Sequence, residues 1–185
     1  MISTRLLCAI GLGCFALPAH AEEISDAVVL YKNICIASNG DLAKAEQLAI
    51  ENGFSIHDDD RGRKTFDRTS TGTLSAPFVI LNPAGSNGNE SLLNICKIFG
   101  TTNRMPEFDD YARSRGLIEV PKEGLLGDLA VLNYVRVYAN KPCHAAGDGS
   151  AACLVIWTIC DKPVDEKFSG VFRFGTPPPS TSMKG

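Results

Sequence analysis

Residues 129–138, LAVLNYVRVY, and residues 153–160, CLVIWTIC, decide the fold class. In the first stretch, small residues such as Val131, Val135 and Val137 alternate with larger ones such as Leu132, Tyr134 and Tyr138. This period of two is typical of a β-strand. The second stretch is the most apolar part of the chain after residue 21, which predicts the central strand of a sheet. The C-terminal half is therefore expected to form a β-sheet.

Helical patterns lie mainly before this sheet. Apolar residues recur at helical spacing over 24–38, which predicts a first helix. Asp41 is a typical N-cap for a second helix over 42–52, and Gly53 stands where a helix-ending glycine belongs. The spacing predicts a third helix over 106–115.

Three further segments favour β-strands, and one favours a loop. The strands are expected at 76–81, 91–99 and 168–174. The mixed-charge run 57–64 is typical of a loop, and a hairpin is expected around residues 70–72. Because helices and strands segregate along the chain, the prediction is an α+β fold: an N-terminal helical hairpin and one further helix, packed on an antiparallel sheet of about five strands.

The first 21 residues have the features of a secretory signal peptide. A basic start at Arg5 precedes an apolar run over 6–17, which is too short to span a membrane. The sequence A-x-A at 19–21 predicts cleavage after Ala21 and a periplasmic or secreted bacterial protein. The alternatives are an uncleaved anchor and a lipoprotein modified at Cys14.

The chain after the signal peptide is expected to form one domain. Residues 22–174 have the length and composition of a single α+β domain, and residues 175–185 are rich in Pro and Ser, which predicts a disordered tail. No later segment has 18 consecutive apolar residues, so no transmembrane segment is expected after cleavage. With 17 basic and 21 acidic residues, the mature chain carries a formal charge of −4, which argues against nucleic-acid binding. The sequence does not predict the oligomeric state.

Five cysteines follow the signal peptide, and an oxidising compartment favours disulfides between them. Two bridges among five cysteines allow several arrangements and leave one thiol over. Cys143 and Cys153 flank a Gly/Ala-rich loop, and a Cys35–Cys96 bridge would join a helix to a strand. We therefore expect these two bridges, with Cys160 as the free thiol.

The densest ionisable cluster is His57, Asp58, Asp59 and Asp60. Such residues can bind Ca²⁺ or supply a general base, but adjacent side chains converge poorly on one ion, which favours a solvated loop. His144 follows Cys143 directly, and a disulfide at Cys143 would exclude a Cys–His dyad. Because no motif for a nucleophile, metal or nucleotide occurs, we assign no catalytic residue, metal or cofactor.

The N-terminal segment carries a pattern of helix-packing residues with one cysteine: Tyr31, Ile34, Cys35, Ile36, Ala37, Ala45, Leu48, Ala49, Gly53 and Phe54. In this pattern the chain resembles uncharacterised secreted proteins of proteobacteria. The resemblance implies a periplasmic α+β domain and assigns no catalytic residue.

The sequence favours an exported, non-enzymatic binding or inhibitor-type domain stabilised by disulfides. The expected partner is another envelope or extracellular protein, and an acidic chain would steer a basic one towards itself. The alternatives are a structural envelope component and a hydrolytic enzyme that uses His57 with Asp58, Asp59 or Asp60.

Overall fold

The structure is a computed structural model that describes residues 25–69, 72–86, 93–120, 134–140, 155–160 and 164–176. Within these ranges α1 (Ala27–Leu30) continues into a π-helical segment (Tyr31–Ile36), followed by α2 (Leu42–Glu51) and, later, α3 (Met105–Ser114). The strands are β1 (Ser55–Asp60), β2 (Arg63–Asp67), β3 (Phe78–Asn82), β4 (Asn94–Thr102), β5 (Ile118–Glu119), β6 (Tyr134–Ala139), β7 (Val155–Cys160) and β8 (Phe168–Thr176).

Side-chain caps begin the first two helices. The Asp26 carboxylate accepts hydrogen bonds from the first backbone amides of α1, and the Asp41 carboxylate does the same for Ala43 and Lys44 in α2, at 3.0 and 3.1 Å. These bonds satisfy amide groups that have no partner inside the helix. Gly53, at φ 84°, ends α2, and Phe54 folds back so that its N–H donates to the Ala49 carbonyl. The predicted cap at Asp41 and the predicted stop at Gly53 are both confirmed.

The turn between the π-helical segment and α2 depends on Gly40. Its φ is +85°, and a Cβ atom built there would lie 1.9 Å from Cγ2 of Thr176. The side chain of Asn94 also donates to the Gly40 carbonyl at 3.0 Å, so the turn contacts the ends of both β4 and β8.

We expect Gly40→Ala to lower the free energy of unfolding by about 2–3 kcal/mol, since it adds overpacking to an unfavourable φ. Urea denaturation of the purified protein measures this loss. Gly116→Ala is the matched control, because Gly116 has φ +69° and no atom within 4 Å of its Cβ position. The control should lose only about 1 kcal/mol. Equal losses for the two variants would show that the contact with Thr176 adds nothing.

The eight strands of the described ranges form one antiparallel sheet in the order β1-β2-β3-β4-β8-β7-β6-β5. Strands β1 to β4 follow one another across one half. The chain then passes through α3 to the far edge, and β5 to β8 return towards the centre. The two halves join where β4 pairs with β8, in continuous register from Asn94 opposite Thr176 to Thr102 opposite Phe168.

The helices and one face of the sheet together form the core. Tyr31 and Ile34 from the π-helical segment and Phe108 from α3 are buried with Ile98 and Phe172 from the sheet. Tyr31 also donates a hydrogen bond to the backbone carbonyl of Arg173 at 3.3 Å, and burial raises its pKa well above the ordinary value. The α+β fold class and the antiparallel sheet are therefore as predicted.

Several finer predictions differ from the structure. Among the described residues the sheet has eight strands, whereas about five were expected. Residues 57–64, predicted as a loop, form most of a β1–β2 hairpin that turns at Arg61 and Gly62. The hairpin expected around 70–72 corresponds to the antiparallel pair β2–β3, whose second strand begins at Phe78 and does not include residues 73–75. The central strands are β4 and β8 instead of β7. Gly175 and Thr176, assigned to the tail, end β8. The predicted signal peptide and residues 177–185 lie outside the described residues.

Candidate ligand-binding site

A disulfide bond joins Cys35 to Cys96, with Cα atoms 5.4 Å apart. It connects the π-helical segment to the centre of the sheet, because Cys96 lies on β4. This is the helix-to-strand bridge that the sequence predicted. Cys143 and Cys153 lie outside the described residues, so their bridge stays a prediction. Cys160 is the last residue of β7, and its free thiol also stays a prediction.

The structure places His57 against Asp67 rather than against the adjacent aspartates. Nδ1 of His57 lies 3.1 Å from Oδ2 of Asp67, a residue that the sequence did not single out. Asp58, Asp59 and Asp60 remain exposed along the edge strand β1. His57 lies at a β-bulge: Ile56 is opposite Phe66 and Asp58 is opposite Thr65, so His57 has no directly opposite residue on β2.

The contact between His57 and Asp67 has the properties of a structural pair. The Asp67 side chain is only 1% exposed, and the His57 side chain is 24% exposed. Oγ1 of Thr69 donates a hydrogen bond to the same oxygen, Oδ2 of Asp67, at 3.2 Å. A buried carboxylate is costly unless it is hydrogen-bonded, and these two side chains supply its partners.

We expect His57→Ala to lower the free energy of unfolding by about 1–2 kcal/mol, because Asp67 then keeps fewer partners for its buried carboxylate. Chemical denaturation with circular dichroism detection measures the change. Asp58→Ala, at an exposed position of the same strand, should stay within about 0.5 kcal/mol of the original chain. If His57→Ala left the free energy of unfolding unchanged, the buried carboxylate of Asp67 would not depend on the imidazole for its stability.

The sheet face that points away from the helices carries a different group of residues. Cys96 and Ile98 on β4, and Phe172 and Phe174 on β8, belong to the core beneath the helices. Side chains alternate along a strand, so their neighbours point to the opposite side. We call this side the outer face; it carries Phe78, Lys97, Phe99, Val171 and Arg173.

An apolar cavity of about 270 Å³ opens on the outer face. Phe78 and Phe99 are directly opposite in the β3–β4 register, and their rings stack with centroids 4.3 Å apart and planes 9° from parallel. Both rings are only partly buried, as is Val171 on β8. The cavity is lined by Ala76, Phe78, Phe99, Gly100, Ser169, Gly170 and Val171.

Two basic side chains lie beside this cavity. Lys97 precedes Phe99 by two residues on β4, and Arg173 follows Val171 by two residues on β8, so each lies about 7 Å along its strand from the cavity. The two are directly opposite one another in the β4–β8 register. Like charges in directly opposite positions destabilise a sheet.

Burial lowers the pKa of both basic groups, and neighbouring positive charges act on Lys97 as well. Burial lowers the pKa of Lys97, and the positive charges of Arg173 and Arg63 lower it further. Burial also lowers the pKa of Arg173 to about 10. Within the part of the chain that the structure describes, no ion pair joins Lys97 to a carboxylate. The surroundings of Lys97 therefore disfavour its charged form.

One weak signal of this site is present in the sequence. A lysine interrupts the apolar strand around 95–99, and an arginine stands between Phe172 and Phe174. Because side chains alternate along a strand, both basic residues are expected on the side away from the core. The sequence does not show that the two lie opposite one another, because that depends on which strands pair.

No protein-family model, curated protein or solved structure matches the chain. Among the described residues, no helix is long and apolar enough to cross a membrane. In those same ranges, no group of three or more His, Cys, Asp or Glu side chains is placed to hold a metal ion.

Proposed function

We propose that the chain is an exported, non-enzymatic binding domain, stabilised by disulfides, whose ligand site is the cavity on the outer face. The observation that carries this proposal is the stacked Phe78–Phe99 pair, partly exposed at the cavity. The signal-like segment over 1–21 supports export.

The apolar character of the cavity supports a ligand role. Aromatic side chains gain free energy when water is excluded from their faces, so a partly exposed stacked pair favours an apolar ligand. Ligand sites are concave, largely apolar and typically about 300 Å³ or more in volume. A cavity of about 270 Å³ therefore suits a small ligand or one group of a larger one.

Binding of N-phenyl-1-naphthylamine, a neutral fluorophore with a naphthyl and a phenyl group, tests the proposal on the folded protein. We expect saturable binding at one site, weakened about three- to tenfold by Phe99→Leu, because the variant removes the aromatic stacking surface. Ile50→Ala, which removes an exposed apolar side chain from α2, is the control and should leave the affinity unchanged. The absence of saturable binding, or equal affinity in both variants and the original chain, would overturn the proposal.

A second candidate is an inhibitor-type domain that docks a basic envelope or extracellular protein. Its support is the exposed acidic edge strand, where Asp58, Asp59 and Asp60 stand in sequence. The test is inhibition of a basic lytic enzyme such as lysozyme at low ionic strength. Inhibition should weaken with added salt and in the triple variant Asp58→Asn/Asp59→Asn/Asp60→Asn. Lack of inhibition at low salt would count against this candidate.

A further inference from the structure

We propose that the ligand of the outer-face cavity is a small molecule with a planar aromatic ring, which stacks on Phe99 above Val171. This inference rests on the proposed function, since it names the ligand class of the same site. It is carried by the direction of the Phe78–Phe99 stack, which runs from β3 across β4 towards a smaller side chain on β8.

The cavity lies in the open part of the outer face. Ile80 and Ile95 lie on the same face beside Lys97 and are only 6% and 2% exposed, so the face is covered there. Ala76 and Ser169, which line the cavity, are exposed. A ligand therefore has access to the sheet at this end of the outer face.

Three side chains stand in a row across three strands at the cavity. Phe78 is directly opposite Phe99, and Phe99 is directly opposite Val171. The two phenylalanine rings are 9° from parallel, and their centroids are 4.3 Å apart, which is close to the spacing of neighbouring strands. The stack therefore runs across the sheet, and its next place lies on β8 at Val171.

Valine is too short to complete this stack. Its side chain ends at the Cγ atoms, whereas the side chain of phenylalanine continues through a ring to Cζ. The ring face of Phe99 that is turned away from Phe78 therefore rises above Val171, and both Phe99 and Val171 line the cavity. A planar ring placed over Val171 would continue the stack.

This geometry favours an aromatic ring over a saturated group of the same size. Parallel, offset aromatic rings gain free energy beyond the burial of their apolar area, and a saturated ring does not. The hydroxyl of Ser169 lies about 7 Å along β8 from Val171, on the same face, and can bind a polar substituent of the ring. A hydroxylated compound of one or two fused rings therefore suits a cavity of about 270 Å³.

The test compares two compounds that differ in the saturation of their rings. 2-Naphthol and decahydro-2-naphthol have the same carbon skeleton and one hydroxyl group each, so burial alone predicts similar affinities. Both are titrated into isotopically labelled protein, and the shifts of the backbone amide signals in NMR spectra give the dissociation constants. We expect 2-naphthol to bind about three- to tenfold more tightly, because it alone can stack.

Two variants locate the ring of the ligand. Phe99→Leu removes the stacking surface and keeps an apolar side chain, so the preference for 2-naphthol should fall below about twofold. Val171→Phe places a protein ring where the ligand ring is expected, at a partly buried strand position that suits phenylalanine, and should weaken 2-naphthol about tenfold or more. Ile50→Phe adds a ring at an exposed position of α2 and is the matched control, which should change neither affinity. Cooperative urea unfolding establishes that each variant is folded.

The outcomes separate the two proposals. If the original chain binds both compounds equally, or if Phe99→Leu keeps the full preference for 2-naphthol, the aromatic ligand class is wrong while the cavity remains a binding site. If N-phenyl-1-naphthylamine also fails to bind the folded protein, the proposed function fails as well. A preference that Phe99→Leu removes, together with loss of binding in Val171→Phe but not in Ile50→Phe, would support the inference.

Discussion

We expect the double variant Cys35→Ala/Cys96→Ala to lose about 4 kcal/mol of unfolding free energy relative to the oxidised original chain. The bridge spans 61 residues of sequence, so it removes much conformational entropy from the unfolded chain. Both residues are almost fully buried, and alanine fills their places without adding a polar group. Because domains of this size have total stabilities of about 5–15 kcal/mol, the loss is a large fraction of the whole.

Guanidinium unfolding under non-reducing conditions measures this difference. Cys160→Ala is the control, since the sequence predicts a thiol there that forms no bridge. It should change the free energy of unfolding by about 1 kcal/mol or less. Intact mass after alkylation, with and without prior reduction, counts the free thiols in each variant. A double variant as stable as the original chain, or a chain in which Cys35 is alkylated without reduction, would contradict the prediction.

The helices were predictable because their signals are local. Asp41 and Gly53 act through the backbone groups of their own helix, so their roles can be recognised from residue type and spacing alone. The position of Cys35 on a helix and Cys96 on a strand was likewise enough to favour their bridge.

The β1–β2 hairpin was missed because its sequence lacks the usual strand signal. Strand β1 is an edge strand with all its residues exposed, so its sequence, SIHDDD, shows no alternation of apolar and polar residues. Its turn uses Arg61 and Gly62, both at positive φ, and Arg is not among the residues that favour such a turn. Charged residues on an edge strand also protect it against pairing with other chains.

The candidate site was not predictable because it depends on strand order. Lys97 and Arg173 are 76 positions apart and meet only because β8 pairs with β4 at the centre of the sheet. The partner of His57 depends on the register between β1 and β2 in the same way. Neither pairing leaves a trace in the local sequence.

The second large effect is expected at Phe108, where α3 packs against the sheet. Its ring lies 5.7 Å from Tyr31, 5.5 Å from Phe172 and 6.2 Å from Tyr138, measured between ring centroids. Phe108 therefore joins the π-helical segment, α3 and two strands in one aromatic cluster. We expect Phe108→Ala to lower the free energy of unfolding by about 3–5 kcal/mol, because it removes buried apolar area and leaves a cavity that rigid neighbours cannot fill.

Tyr111→Ala is the matched control for Phe108→Ala. It also removes a ring from α3, but Tyr111 is only half-buried at the edge of the core. Since both variants place alanine in the same helix, differences in helix propensity largely cancel, and the remaining difference measures packing on the sheet. Urea unfolding should show about 1–2 kcal/mol for Tyr111→Ala, well below the loss for Phe108→Ala. Equal losses would mean that α3 contributes to stability through its own helical structure rather than through the aromatic cluster. The conclusion that Phe108 joins this helix to the sheet would then be wrong.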